Sequence, residues 1–276
     1  KKKIYFNVSA RTARLIGQEN FANAEGAVIE LVKNAYDADA SFCAIIFDLK
    51  DNMHDSSIYI VDGGNGMDDT VIERQWMTIG TDDKLVNSKS SASGRIKSGA
   101  KGIGRFALNR LGKTSLMLTA PIGKKKIYEW EVNWTDFEKT GSTLSDVGAS
   151  LSIINSETFH ERLKSFGLLA ISAVKDLFHK DDFHGTILKI SDLNDLWDKH
   201  SLDSLYSSLE LLIPAHLASD FTLYMFMLSD LKDFGKVNNS EYEDFDYKVY
   251  ARYFGKSSRT ISVEIERKEF NIPLLE

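Results

Sequence analysis

Glu30, Asn34 and Asp37 stand at i, i+4 and i+7, so a helix over this segment projects all three from one face. Ala27, Val28, Leu31, Val32 and Ala35 recur at three- and four-residue spacing on the opposite stripe, which faces a core. A carboxylate beside an amide on such a face can hold a water with one group and offer an oxygen to a hard cation with the other. Mg²⁺ takes few protein ligands and completes its shell with phosphates and water, so Asn34 is a sufficient protein donor for it. The plainer reading is a capped surface helix with incidental polar groups, and this segment alone leaves both open.

Two further segments carry chemistry. Asp62 precedes Gly63-Gly64-Asn65-Gly66-Met67. An ionised Asp is acceptor-only and can take the exocyclic amine of a purine. Glycines at 64 and 66 let backbone approach a flat base, and Met67 can pack on its ring. An Asp before glycines is also an ordinary turn. The other segment is Gly99-Ala100-Lys101-Gly102-Ile103-Gly104-Arg105-Phe106, running into a helix. There it presents free backbone N–H groups to an anion, with Lys101 as a point charge. It is neither a Walker A loop nor a dinucleotide fingerprint, since the Lys-Ser/Thr ending and the βαβ context are both missing. Lys84, in Ile79-Gly80-Thr81-Asp82-Asp83-Lys84, stands at the mouth of such a site. Thr186, in His184-Gly185-Thr186, offers a hydroxyl to a water network around Asp62. Taken singly, Lys84 reads as a solvated lysine and Thr186 as a structural hydroxyl.

The elements that must position these residues follow from periodicity. Helices are expected over 11–18, 24–38, from about 104 to 111, within 163–178 and over 202–218. Strands are expected at 5–9, 43–49, 57–62, 114–120, 126–134, 185–191, 221–228, 247–254 and 260–267. Residues 80–98 hold no apolar period and, inside a compact domain, read as a functional loop. Mostly hairpin-joined strands between helices give an α+β fold, a two-layer α/β sandwich, over 1–225. Residues 226–276 read as the start of a second α/β module.

Composition narrows the class. The net charge of −6 argues against a generally basic, nucleic-acid-coating surface. One stretch departs from that average: Lys84, Lys89, Arg95, Lys97, Lys101, Arg105, Arg110 and Lys113 occur with no Asp or Glu between them. Such a run is either a solvated face or, interleaved with glycine as here, an anion site. No apolar run approaches the roughly 20 residues of a membrane span. Cys43 is the lone cysteine, so no internal disulfide forms and a reducing cytoplasmic setting is expected.

In order and spacing these segments resemble the GHKL (Bergerat-fold) ATPase superfamily of gyrase B, the ninety-kilodalton heat-shock chaperone, histidine kinases and MutL. The first box, Glu-x-x-x-Asn-x-x-Asp-Ala, is matched by Glu30, Asn34, Asp37 and Ala38, and Asp-x-Gly-x-Gly by Asp62, Gly64 and Gly66. Gly-x-x-Gly-x-Gly is matched by Gly99, Gly102 and Gly104, and the late Gly-Thr pair by Gly185 and Thr186. Ile79-Gly80 with Lys84, and Lys101-Gly102-Ile103-Gly104-Arg105, look most like the Microrchidia branch and related bacterial chaperone-like ATPases. Ser41 departs from the chaperone pattern, which has a lysine there.

The resemblance implies a Bergerat ATP-binding fold, with adenine on Asp62 and Met67, triphosphate under the third box, and Mg²⁺ on Asn34. It implies Glu30 as general base, a lid over 80–98 and ATP-gated homodimerisation within a larger protein. The competing class is a binding or assembly module that engages nucleic acid or a protein partner with little turnover. Histidine-kinase-type phosphotransfer is less favoured, because no phosphoacceptor helix pair is present.

Overall fold

The computed structural model describes residues 3–5, 7–12, 15, 20–80, 95, 104–178, 183–212, 220–238, 247–253 and 260–267. They fall in two compact units, 1–238 and 239–276.

The first unit is built on one eight-stranded sheet. Helix α1 (Ala24–Asp37) starts at Asn23, whose side-chain oxygen accepts from the Gly26 N–H at 2.8 Å. Strands β1 (Phe42–Asp48) and β2 (Ser57–Asp62) follow as an antiparallel pair. Helix α2 (Phe106–Leu111) passes directly into β3 (Gly112–Ala120), and β4 (Ile127–Asn133) pairs back on β3. Beyond β5 (Ser150–Ile154) come α3 (Ser156–Ser165), α4 (Ser172–Phe178), β6 (Gly185–Leu193) and α5 (Lys199–Leu212). Strands β7 (Thr222–Met227) and β8 (Phe234–Lys236) complete the sheet. Its order is β5-β4-β3-β6-β2-β1-β7-β8, and only β1–β7 is parallel among these pairs.

The near-continuous apolar runs of β1 and β2 have a direct cause, since both faces of the sheet centre are covered. Cys43, Ile45, Phe47, Ile58 and Ile60 pack with Val28, Leu31, Ala35, Leu108 and Leu205 from α1, α2 and α5. Their alternates Ala44, Ile46, Tyr59 and Val61 pack with Phe159, Leu163 and Val174 from α3 and α4. The architecture is the expected mixed α/β sandwich, a large and mostly antiparallel sheet packed with helices. Segment 156–178 adds cover on the second face.

Several local features differ from expectation. Helix α3 begins at Ser156, seven residues before the expected 163, because Asn155 caps it through a 2.8 Å bond from the Thr158 N–H. Gly167, at φ +73°, breaks it from the helical turns that follow. Strand β5 had no periodic signal, and its residues are almost all exposed, so no buried stripe marks it. The expected strand at 5–9 reduces to one bridge, Ser9 with Thr143, flanked by backbone bonds from Ala10 to Ser142 and from Leu144 to Val8. Among the described residues, no helix is long and apolar enough to cross a membrane.

The second unit holds the antiparallel pair β9 (Tyr247–Tyr253) and β10 (Ile261–Arg267).

Candidate functional site

Helix α1 presents its chemistry as the spacing requires. Ala27, Val28, Leu31, Val32 and Ala35 are buried, whereas Glu30 and Asn34 are half-buried on the opposite face. Asp37 is buried, with 8% of its surface exposed. The decisive neighbour is Gly104. A β-carbon built there would lie 3.0 Å from Glu30 Oε1 and 3.1 Å from Asn34 Nδ2. A side chain there would have to displace the ends of both groups by a few tenths of an ångström, so this backbone lies tight against them. The first and third polar segments, seventy residues apart in the chain, therefore meet. Helix α2 has six residues, so backbone N–H groups rather than a long macrodipole would supply any anion attraction there. Lys84, Gly99, Lys101, Gly102 and Ile103 lie outside the described residues.

Asp62 ends β2 at the centre of the sheet, where Thr186 of β6 pairs with it in register and Thr119 of β3 pairs with Thr186. Its carboxylate accepts from the Gly64 N–H at 2.9 Å. Burial pushes the Asp62 carboxyl up to about 6, against backbone hydrogen bonds from Gly64 and Thr186 and the nearby His184, which pull it down. The same burial holds the neighbouring Cys43 thiol well above its ordinary value, with the Asp62 charge adding to the effect.

The glycine loop after Asp62 is fixed at close quarters. A side chain on Gly64 would meet the Ala38 carbonyl at 2.7 Å, and the Asn65 N–H donates to that same carbonyl at 2.8 Å. Gly66 has φ +62°, and its β-carbon would fall 1.9 Å from the Ala120 carbonyl oxygen. Gly66→Ala thus meets both a left-handed backbone and a backbone collision. We expect it to lower unfolding free energy by about 2 kcal/mol or more in urea titrations. An unchanged midpoint at unchanged slope would show that the loop does not hold this conformation.

Sequence reading missed the residue that joins these parts. Thr119 is fully buried; its hydroxyl accepts from the Met67 N–H at 2.9 Å and donates to the Gly185 carbonyl at 3.0 Å. Thr186 Oγ1 is 3.2 Å away. The one available signal was a hydroxyl interrupting the apolar run Leu116-Met117-Leu118. His184 Nδ1 lies 2.8 Å from the Gly64 carbonyl. A carbonyl only accepts, so Nδ1 carries the proton. Gly185, at φ +124°, lets β6 pass so close that a β-carbon would sit 2.1 Å from the Asp62 carbonyl. Glu30, Asn34 and Gly104 thus form one group, and Asp62, Gly64, Gly66, Met67 and Thr186 a second. The Ala38–Asn65 contact links the two.

A family model described as Histidine kinase-, DNA gyrase B-, and HSP90-like ATPase matches residues 22–160, half of the chain. The chain belongs to this family. Both residue groups lie within the matched span, apart from Thr186. For a Histidine kinase-, DNA gyrase B- and HSP90-like ATPase domain, ATP is the ligand and ATP-dependent chemistry the coarse activity. Among curated proteins, none matches this sequence.

Proposed function

We propose that this domain binds Mg·ATP and hydrolyses it slowly, with lid closure over the nucleotide driving pairing of two copies within a larger protein. The observation that carries the reading is the approach of Gly104 to both Glu30 and Asn34. It sets a carboxylate and an amide beside the backbone expected to hold phosphate. In this reading adenine hydrogen-bonds to Asp62, with Met67 against the ring and Thr186 completing a water network. Lys84, Gly99, Lys101, Gly102 and Ile103 line the triphosphate, Asp37 joins Asn34 among the ATP-binding residues of the helix, and residues 80–98 form the lid. Glu30 orients the attacking water and accepts its proton.

The donor chemistry fits a phosphate-held metal. Asn34 supplies a neutral hard oxygen, and among the described residues no group of three or more His, Cys, Asp or Glu side chains could hold an ion alone. Bound with ATP, Mg²⁺ would neutralise phosphate charge. The Microrchidia-like assignment rests on Ile79, Gly80, Lys84 and residues 101–105. A cytoplasmic location rests on the lone, buried Cys43.

The binding-module alternative drew its main support from the basic run over 84–113. Its four described cations are engaged within the protein. Arg95 donates to backbone carbonyls, Arg105 to the Trp76 carbonyl, Arg110 to Asp195 and Lys113 to Asp192. That favours the ATPase reading. Sedimentation with and without a nonhydrolysable ATP analogue and Mg²⁺ tests it. We expect monomers without nucleotide and dimers with it; salt-dependent DNA binding at unchanged mass would favour the alternative.

A further inference from the structure

Arg95, near the end of the segment read as the lid, places its guanidinium on backbone carbonyls of the domain body. It donates through Nη1 to the Ala40 carbonyl at 2.7 Å and the Tyr36 carbonyl at 3.3 Å, and through Nη2 to the Asp220 carbonyl at 2.7 Å. These carbonyls belong to the last turn of α1, the turn into β1 and the entry to β7. The cation also lies 4.5 Å from the Tyr36 ring centroid, and Tyr36 meets Phe221 edge-on at 5.5 Å. Helix α1 has no basic residue in its own last turn. Arg95 therefore supplies, from 59 residues beyond Tyr36, the positive charge that complements a helix C-terminus.

The joint it holds touches both halves of the site. Asn65 of the glycine loop donates to the Ala38 carbonyl at 2.8 Å, and its side-chain amide donates to Asp39 Oδ2 at 3.1 Å. Asp39 is itself in the left-handed region at φ +61°, so this turn is tight. Along α1, Tyr36 lies six residues from Glu30, roughly 9 Å of rigid helix. An axial shift at Tyr36 therefore reaches Glu30 and Asn34 undamped, and a shift of the turn moves Asn65 and its glycine loop.

We propose that Arg95 is a positioning residue for the ATP site, a pin that fixes α1 and the glycine loop in one register. This rests on the ATPase reading given above. Misplacement of about 1 Å at a reacting group can reduce turnover by about a hundredfold, so even a partial release is measurable.

The test compares wild type, Arg95→Ala and Arg95→Lys in this 276-residue chain, well below their melting temperatures. Arg95→Ala is expected to lower kcat by about tenfold or more, with a smaller loss of ATP affinity. Arg95→Lys keeps the charge without the planar fork and is expected to restore part of kcat. Amide exchange, read without nucleotide, should rise in 34–40 and 63–66 for Arg95→Ala. A kcat per folded molecule equal to wild type, or unchanged exchange in both segments, overturns the proposal. Wild type that neither binds nor hydrolyses ATP overturns the ATPase reading instead, and exchange still judges the pin.

Discussion

Replacing Glu30 by Gln is expected to lower ATP turnover by about 10²–10⁴-fold, the usual contribution of a positioned general base, while ATP affinity stays within about threefold. The expectation follows from where Glu30 sits. Its carboxylate is half-buried on a helix whose other face is locked into the core, and Gly104 backbone lies against it. A water between that carboxylate and a bound γ-phosphate needs both orientation and a proton acceptor. Gln keeps the volume and a hydrogen-bonding oxygen but takes no proton. Glu30→Ala removes orientation as well and should be at least as slow. Single-turnover hydrolysis beside equilibrium nucleotide binding separates the two quantities. Weaker binding with an unchanged single-turnover rate in both variants would mean that Glu30 contributes uniform binding, and the assigned role would fall. Asn34→Ala serves as the contrast, because losing a metal donor should weaken Mg²⁺-dependent binding as well as turnover.

What could be read in advance depended on the range of the interaction. Glu30, Asn34 and Asp37 share a face because of helical spacing, a property of eight consecutive residues. The glycines at 64, 66 and 104 could be picked out because close backbone approach favours glycine, even though their partners, backbone at 64 and 66 and two side-chain ends at 104, were unknown. The missed residues owe their roles to sheet register and long-range docking. Thr119 matters because β3, β6 and β2 align it with Thr186 and Asp62. Nothing near position 119 encodes those partners. Arg95 looked like one cation among eight, and only the meeting of residues 36, 40 and 220 separates it from a phosphate ligand. The cover over the second sheet face was hidden for a related reason. Phe159, Leu163 and Phe166 have helical spacing, but the polar stretch before them masked where the helix began, until Asn155 is seen as its cap.

Asp62 is expected to be a residue that harms the empty fold and serves the ligand. Its folded carboxyl sits at about 6, above the ordinary 3.8, because burial disfavours the charged form. The sign of the linkage follows from proton binding. Below about pH 4 the carboxyl is protonated in folded and unfolded chains alike, and no penalty arises. Between pH 4 and 6 only the unfolded chain ionises, so folded stability falls as pH rises. Above pH 6 both states are ionised and the full penalty, about 3 kcal/mol, persists. Asp62→Asn removes the charge while keeping an oxygen for the Gly64 N–H. The nucleotide-free variant should therefore melt higher than wild type at pH 7.5, by about 2–4 °C per kcal/mol recovered, with the advantage shrinking towards pH 4. Adenine binding should move the other way. An amine hydrogen-bonded to a carboxylate is worth about 1.5–3 kcal/mol, so the ATP Kd should rise by about ten- to a hundredfold. Wild-type affinity should also weaken relative to the variant as pH drops below 6, a comparison in which the titration of the nucleotide's own phosphates cancels. Calorimetric melting and nucleotide titration on the same samples read both effects. A variant that melts lower at pH 7.5 would show that the Asp62 charge supports the fold, and one that binds ATP like wild type would remove Asp62 from the adenine site. Opposite movement of stability and affinity is what a desolvated carboxylate kept for a ligand must produce, since the buried charge gains a further donor only when the base is bound.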